Sequence, residues 1–329
     1  MGWKAGLAAC LIAAMGLSQA APGSPVFLLN SLDATVSVID PQTWSERERI
    51  SVGKEPHHLY LAPDEKTLIV ANAAGNSLTL LDPKTAAMLR TLNQIADPYH
   101  LRFSPDMQWF VTAANRLNHV DVYRWHGAQA EEPLVLVKRV ATSKTPSHLW
   151  IDDASEIAYI TMQDSDELIA LELATQTILW RQATGKTPAD VYLTPDGRHL
   201  LLGLTGDRFV EVWALKGRQA PQKAGRFHTG EGAHSFRALG DSRHVLVSNR
   251  AANTISKLDL KAWRIVDEFP APGGPDDMDV LSDGKTLLVT SRWARKLTVI
   301  DMAKRQVVRQ VRVGRSPHGV WTLDHVSRR

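Results

Sequence analysis

From about residue 26 onward, apolar and polar residues alternate with a period of two in short runs, broken by clusters rich in Asn, Asp, Gly and Ser. That alternation predicts half-buried strands joined by tight turns. Seven segments share one form, an apolar strand, a polar turn and a second alternating strand: 28–40, 70–82, 111–123, 160–173, 202–215, 247–260 and 289–302. Each predicts a β-hairpin. A further element precedes every hairpin but the first: a Pro/Gly turn, two polar residues and a short strand, as in Glu55-Pro56-His57-His58-Leu59-Tyr60. The second residue after the turn proline, or after its equivalent Ala233, is His58, His100, His148, Asp190, Ser235, Asp277 and Gly319 in turn. These positions step by 42, 48, 42, 45, 42 and 42 residues.

A repeat of this length built from strands predicts an all-β, seven-bladed propeller with four-stranded blades. No helical periodicity competes with it. The chain begins with a hairpin and ends with the element that should precede one, Pro317 to Leu323. The C-terminal strand is therefore expected to complete the N-terminal hairpin blade, which closes the ring and leaves no open sheet edge.

The repeats resemble the YVTN family of seven-bladed propellers. The residues that carry the resemblance are Pro63-Asp64-Glu65-Lys66-Thr67-Leu68-Ile69-Val70-Ala71-Asn72, Asp283-Gly284-Lys285-Thr286-Leu287-Leu288-Val289-Thr290 and Thr35-Val36-Ser37-Val38-Ile39-Asp40, with Glu65 standing where the family has a turn glycine. The resemblance spans the chain after the leader and extends to the superfamily of haem d1 propellers and to propeller-type lactonases. It implies the fold strongly and the function weakly, because one scaffold hosts many activities.

Length alone, 329 residues, would suggest two domains; the repeat replaces this with one propeller over residues 21–329. Residues 1–20 read as a signal peptide: Lys4, the apolar run Ala5–Leu17, then small residues at Ser18 and Ala20 as the cleavage site. The run is too short to span a bilayer. Leu7-Ala8-Ala9-Cys10 also fits a lipid-anchor motif, although the apolar run continues past Cys10. Cleavage near Ala20 would place the protein in the periplasm or outside the cell, without a cysteine. The 38 basic and 35 acidic residues give a net charge of +3, which offers no electrostatic case for nucleic acid. A monomer without a transmembrane span is expected.

The chemistry lies in where the histidines fall. The fourteen positions that open the seven inner strands hold six of the twelve, His57, His58, His100, His148, His234 and His318, together with Asp190, Asp276 and Asp277. Chance would put about half a histidine there, and inner strands of a propeller converge on its axis. Neutral imidazole is a common ligand for zinc, copper, iron and nickel. The six histidines with Asp190 and Asp277 are thus candidate ligands of a transition metal (copper, zinc or iron) or of a non-covalent haem-like tetrapyrrole. The plainer alternative is that each imidazole caps a nearby backbone group. Adjacent strand residues face opposite ways, so His57 and His58 need not share a site. The paired histidines followed by single ones resemble the hub of nitrous oxide reductase, but Asp190 and Asp277 at the fourth and sixth of these positions argue against multi-copper catalysis.

Two residues further along stand Tyr60, Arg102, Trp150, Tyr192, Arg237, Asp279 and Trp321. Tyr60 and Tyr192 read as packing. Arg102, Trp150, Arg237 and Trp321 are candidates for gripping a flat, anionic ligand. Arg116, Arg208, Arg250, Arg292, Arg295 and Trp293 fall in hairpin turns expected to rim the same mouth, diluted by Asp33, Asp164, Asp166 and Asp207. Insertions around 127–133 and 217–225 are expected as loops on the opposite face. No Cys-x-x-Cys-His, Gly-x-Ser-x-Gly or phosphate-binding glycine loop occurs. The reading is a binding or accessory propeller with a metal or small ligand at the channel mouth. A protein-interaction scaffold with a periplasmic partner, a lactonase-like hydrolase and a tetrapyrrole oxidoreductase stand as alternatives.

Overall fold

The computed structural model describes residues 23–328; the signal-peptide and Cys10 readings lie outside them. Twenty-eight strands form seven antiparallel sheets of four strands each. Two short 3-10 turns, Ser31–Asp33 and Gln163–Ser165, are the only helical elements among the described residues. The inner strands are Pro317–Thr322, Pro56–Leu61, Pro98–Phe103, Pro146–Ile151, Pro188–Leu193, Ala233–Ala238 and Pro275–Val280. Each contacts its neighbour around a complete ring. Blade 1 joins both ends of the chain as expected: Pro317–Thr322 pairs with Val26–Asn30, setting Trp321 opposite Phe27 and Val320 opposite Leu28.

Burial follows distance from the axis. The strands Leu68–Asn72, Trp109–Ala114 and Ile157–Met162 are buried at every residue, because blades stack face to face and cover both sides of each sheet. Outermost strands such as Met88–Asn93 keep a single buried residue, Leu92. The core is therefore interbladal, with Trp150 and Tyr159 of blade 4 packing into one cluster with Tyr192 and Leu200 of blade 5.

The turns are built by short acidic and amide side chains. Asp64 Oδ1 accepts the N–H groups of Lys66 and Thr67, and Asp283 does the same for Lys285 and Thr286. A second set locks blade to blade. Asn76, Asn118, Asp166 and Asn253, in the hairpin turns of blades 2, 3, 4 and 6, each accept the N–H of the residue just before the next inner strand: Asp97, Thr145, Thr187 and Gly274. Within blade 1, Asp33 receives the N–H of Arg315, two residues before that blade's own inner strand, and so ties the two ends of the chain. The turn residues that set the mouth are thus fixed by the preceding blade.

The insertion expected as a loop at 217–225 is instead mostly strand. Phe209–Lys216 and Gln219–His228 continue their ladder out to Lys216 opposite Gln219, because Gly217, at φ 58°, supplies a tight turn and the flanking residues can pair. The 127–133 insertion is a loop between Trp125 and Leu134. Both leave the sheet on the face away from the histidines.

Candidate metal centre in the channel

Each inner strand carries a register shift near its start, at Pro56/His58, Pro98/His100, Pro146/Leu149, Pro188/Val191, Ala233/Phe236, Pro275/Met278 and Pro317/Val320. The residue ahead of each strand, from Glu55 and Asp97 round to Ser316, sits at positive φ. Such a bulge breaks the period-two alternation and re-aims side chains. This overturns the expectation that His57 and His58 face apart. Their rings lie 4.7 Å apart, with Nδ1 atoms 2.9 Å from each other.

Several imidazoles were expected to converge; all six of the inner-strand histidines lie together. His57 lies 3.6 Å from His318 between centroids, and His58 lies 4.4 Å from His100 and 4.7 Å from His148. His234 closes the group at 5.6 Å from His148 and 6.1 Å from His318. None of the six is more than 9% exposed. Burial depresses the basicity of His57, His58, His100, His234 and His318 well below that of a free imidazole, so these rings are neutral at pH 7.

Three overlapping groups bring one ligand atom per residue within 4.8 Å of one another: His57–His58–His318, His58–His100–His148 and His234–Asp276–His318. Proton placement separates them. The Tyr99 carbonyl can only accept, so His58 Nδ1, 2.7 Å away, carries the proton and donates, leaving the lone pair on Nε2. The close His57–His58 contact through Nδ1 therefore cannot hold a cation through both nitrogens. In the third group, the Asp276 carboxylate is occupied. Arg250 and Arg292 both bind it, the latter at 2.9 Å. Burial alone would raise this carboxyl, but the two guanidinium charges outweigh it and hold the group well below the usual carboxylate range.

His58–His100–His148 has neither conflict. His148 Nδ1 lies 3.1 Å from Asp190 Oδ1. A carboxylate at that nitrogen keeps the proton there and leaves Nε2 with its lone pair, the usual outer support of a metal-binding histidine. His148 Nε2 and His100 Nδ1 are buried and have no hydrogen-bond partner. Three atoms no farther than 4.8 Å apart lie within about 2.8 Å of a common point, close to a zinc–nitrogen bond of ~2.0–2.1 Å.

The remaining predicted site residues separate into two sets. The channel holds a cavity of about 150 Å³, whose lining includes His58, His100 and His148 with Arg102, Trp150, Asp190, Arg237 and Asp277. Arg102 stacks on Trp150, Cζ to ring centroid 3.9 Å, and donates from Nε to the Leu149 carbonyl. Asp190 supports His148 and accepts the Phe236 N–H. Asp277 belongs to none of the three clusters, and its oxygens accept from Met278 and Val320 N–H; desolvation pushes its carboxyl up to about 6. Arg237 is buried and bound to Asp279, and also holds the carbonyls of Val326 and Ser327 in the C-terminal tail. Trp321 is not in the cavity; it packs on Phe27 between blades.

The turn arginines rim the mouth, but carboxylates hold most of them: Arg116 binds Asp97 and Glu55, Arg208 binds Glu231, and Arg250 and Arg292 share Asp276. Two residues of the hub were not among the predicted ligands. Asp276, rather than Asp277, joins the imidazole cluster, because the bulge reverses which of the pair faces it. Tyr99 stacks 3.8 Å from His57, and desolvation pushes its phenol up to about 12. Its place in the same slot as His57 was the available signal.

This is a closed seven-bladed propeller with an imidazole hub buried on its axis. The chain belongs to the YNCE-like beta-propeller family, whose profile matches residues 4–328. No curated protein matches the sequence. Among solved structures, a functionally unknown protein from Desulfotomaculum acetoxidans superposes with a TM-score of 0.78 at 12% identity, covering 93% of this chain and all of the other. The periplasmic gluconolactonase PpgL of Pseudomonas aeruginosa gives 0.76 at 18% identity, with 93% and 99% covered. Dihydro-heme d1 dehydrogenase NirN, solved in complex with DHE, gives 0.67 at 14% identity, with 94% and 77% covered. At these identities the likeness concerns the fold. No helix among the described residues is long and apolar enough to cross a membrane.

Proposed function

We propose that this protein is a periplasmic metal-binding propeller that holds one transition-metal ion on His58, His100 and His148, with Asp190 positioning His148. The observation that carries the reading is the meeting of three buried imidazoles from three successive blades, two with buried nitrogens that have no hydrogen-bond partner. Orphaned buried nitrogens are costly, and an ion at their centre would satisfy them. Three nitrogen ligands leave a fourth position open toward the cavity, the arrangement of exchangeable rather than closed sites. Zinc and copper suit the donor set, copper binding tighter by the general order of divalent affinities. The leader sequence and the periplasmic relative PpgL support export.

The haem-like alternative, which the likeness to NirN favours, meets a poor fit. A cavity of about 150 Å³ falls below the ~300–1,000 Å³ of ordinary organic-ligand sites, and the rings present edges that are at most 9% exposed. An ion with a few waters fits this space.

The test is calorimetric titration of EDTA-treated protein with Zn²⁺ and Cu²⁺. One ion per chain at micromolar affinity or tighter is expected, with His148→Ala abolishing binding and Asp190→Asn weakening it ~10–100-fold. No binding tighter than millimolar, or unchanged binding in His100→Ala and His148→Ala proteins that keep the native circular dichroism, overturns the reading.

A further inference from the structure

One slot of the repeat is filled differently in blade 6. In every blade the third strand has a residue just ahead of the bulge in the outer strand: Val38, Leu80, Val122, Ala170, Val212, Lys257 and Val299. Six of these are apolar, at most 4% exposed, and belong to the cores between blades. Blade 6 alone has a lysine there, and Lys257 is only partly buried. Ile255, two residues earlier on the same face of the strand, packs into the core shared with blade 7, so Lys257 faces the gap between blades 6 and 7. A residue that breaks a pattern the rest of the fold obeys marks a functional site or a strained one.

The gap holds a groove of about 570 Å³, within the range of ordinary ligand clefts. Leu239 and Met302 give it apolar wall, and Lys257, Lys285, Lys304 and Arg305 bring four cations to its lining against one carboxylate, Asp267. Asp267 stands directly across the ladder from Lys257, but its carboxylate is bound to Arg305 of blade 7 at 3.0 Å. Lys304 is paired with Asp301. Asp283, whose oxygens bind the N–H groups of Lys285 and Thr286, lies outside the lining. Lys257 and Lys285 make no ion pair or side-chain hydrogen bond among the described residues. A lysine can bury its stem and leave its ammonium in water. That accounts for the stem but not for a cation in a slot where six other blades are apolar, because even partial desolvation of an ammonium is costly unless a counter-charge meets it.

We propose that the groove between blades 6 and 7 binds one small amphipathic organic anion, with its acidic head on Lys257, Lys285 at the rim, and its apolar body on Leu239 and Met302. An inorganic anion would leave the apolar wall in water, and a neutral molecule would leave Lys257 without a counter-charge. The chemistry that fits is a short-chain or aromatic carboxylate, sulfonate or phosphate ester. The groove shares no lining residue with the channel cavity, so this site stands apart from the metal reading above.

The probe is sodium octanoate, titrated calorimetrically into the EDTA-treated full chain at constant ionic strength, with 1-octanol as the neutral control and sodium sulfate as the inorganic one. One octanoate per chain is expected, with a dissociation constant of roughly 0.1 mM or tighter. Each control should bind at least about tenfold more weakly. Lys257→Met, which puts an apolar residue in the slot, should keep the native circular dichroism and lose at least about tenfold in octanoate affinity. Lys257→Arg, which keeps the charge, should stay within about threefold of the parent. Lys257→Gln carries the comparison if the methionine protein does not fold. Octanoate binding no tighter than octanol, or unchanged in a folded Lys257→Met protein, overturns the proposal. Binding to phosphatidylglycerol vesicles in place of free octanoate also overturns it, since the groove would then be a membrane contact.

Discussion

Acidifying the metal-free protein is expected to destabilise it steeply over a narrow interval, because burial disfavours the charged form of five of the hub's histidines. In the unfolded chain an imidazole titrates near 6.5. In the folded protein, burial holds His57, His58, His100, His234 and His318 well below that value. The folded form of each base is thus the weaker proton binder. Its stability contribution is fully present above pH 6.5 and is lost as pH falls from 6.5 toward the folded value. Each such group loses about 1 kcal/mol between pH 6.5 and 5.5, and five lose about 5 kcal/mol. Asp277 acts in the opposite sense. Its carboxyl, pushed up to about 6, takes up a proton in the folded state and offsets less than about 1 kcal/mol. A net loss of about 4 kcal/mol is a large share of the ~5–15 kcal/mol that holds a domain folded. The direct assay is proton uptake on unfolding, read by calorimetry at pH 5.5 with EDTA, in buffers of different ionisation heat. About four protons per molecule are expected, falling by about one in His234→Gln. Uptake of fewer than two protons would refute the neutral state of these five rings.

Other substitutions test the scaffold and the assignments. Asn118→Ala removes the side chain that accepts Thr145 N–H, and should cost about 1 kcal/mol by urea denaturation. Glu65 sits at φ 54° in a turn where its counterpart is Gly284; Glu65→Gly should raise stability by roughly 0.5–1 kcal/mol, since a side chain in the left-handed region costs more than glycine's extra freedom. Trp321→Ala should cost about 3–5 kcal/mol and leave zinc affinity in the folded fraction unchanged, because the indole packs between blades and not in the cavity. Ending the chain before Pro317 removes the inner strand of blade 1 and should abolish cooperative thermal unfolding, because the ring loses its closure.

The fold was legible from the sequence because a blade is a local object. Its strands alternate with period two, its turns use Asp, Asn and Gly, and the period repeats down the chain. Even the pairing of Pro317–Thr322 with Val26–Asn30 followed from counting, since a hairpin without its preceding strand must find one. The 217–225 segment was misread for a related reason: a gap in the repeat looks like a loop, while hairpin length is set by the pairing of Lys216 with Gln219 across a Gly217 turn.

The site divides along the same line. The sequence alone determined that six histidines open the inner strands, and so that several should meet near the axis, because position within the repeat is position within the propeller. Only the tertiary structure decided which of them act together. The bulge in every inner strand defeats the alternation rule, brings His57 and His58 to one hub, and sets Asp276 rather than Asp277 beside the rings. The Tyr99 carbonyl, the Asp190 carboxylate and the Arg250–Asp276–Arg292 contact are what the proposed choice of His58, His100 and His148 rests on. These partners come from different blades, dozens of residues apart, and proton placement depends on distances that no spacing along one chain encodes.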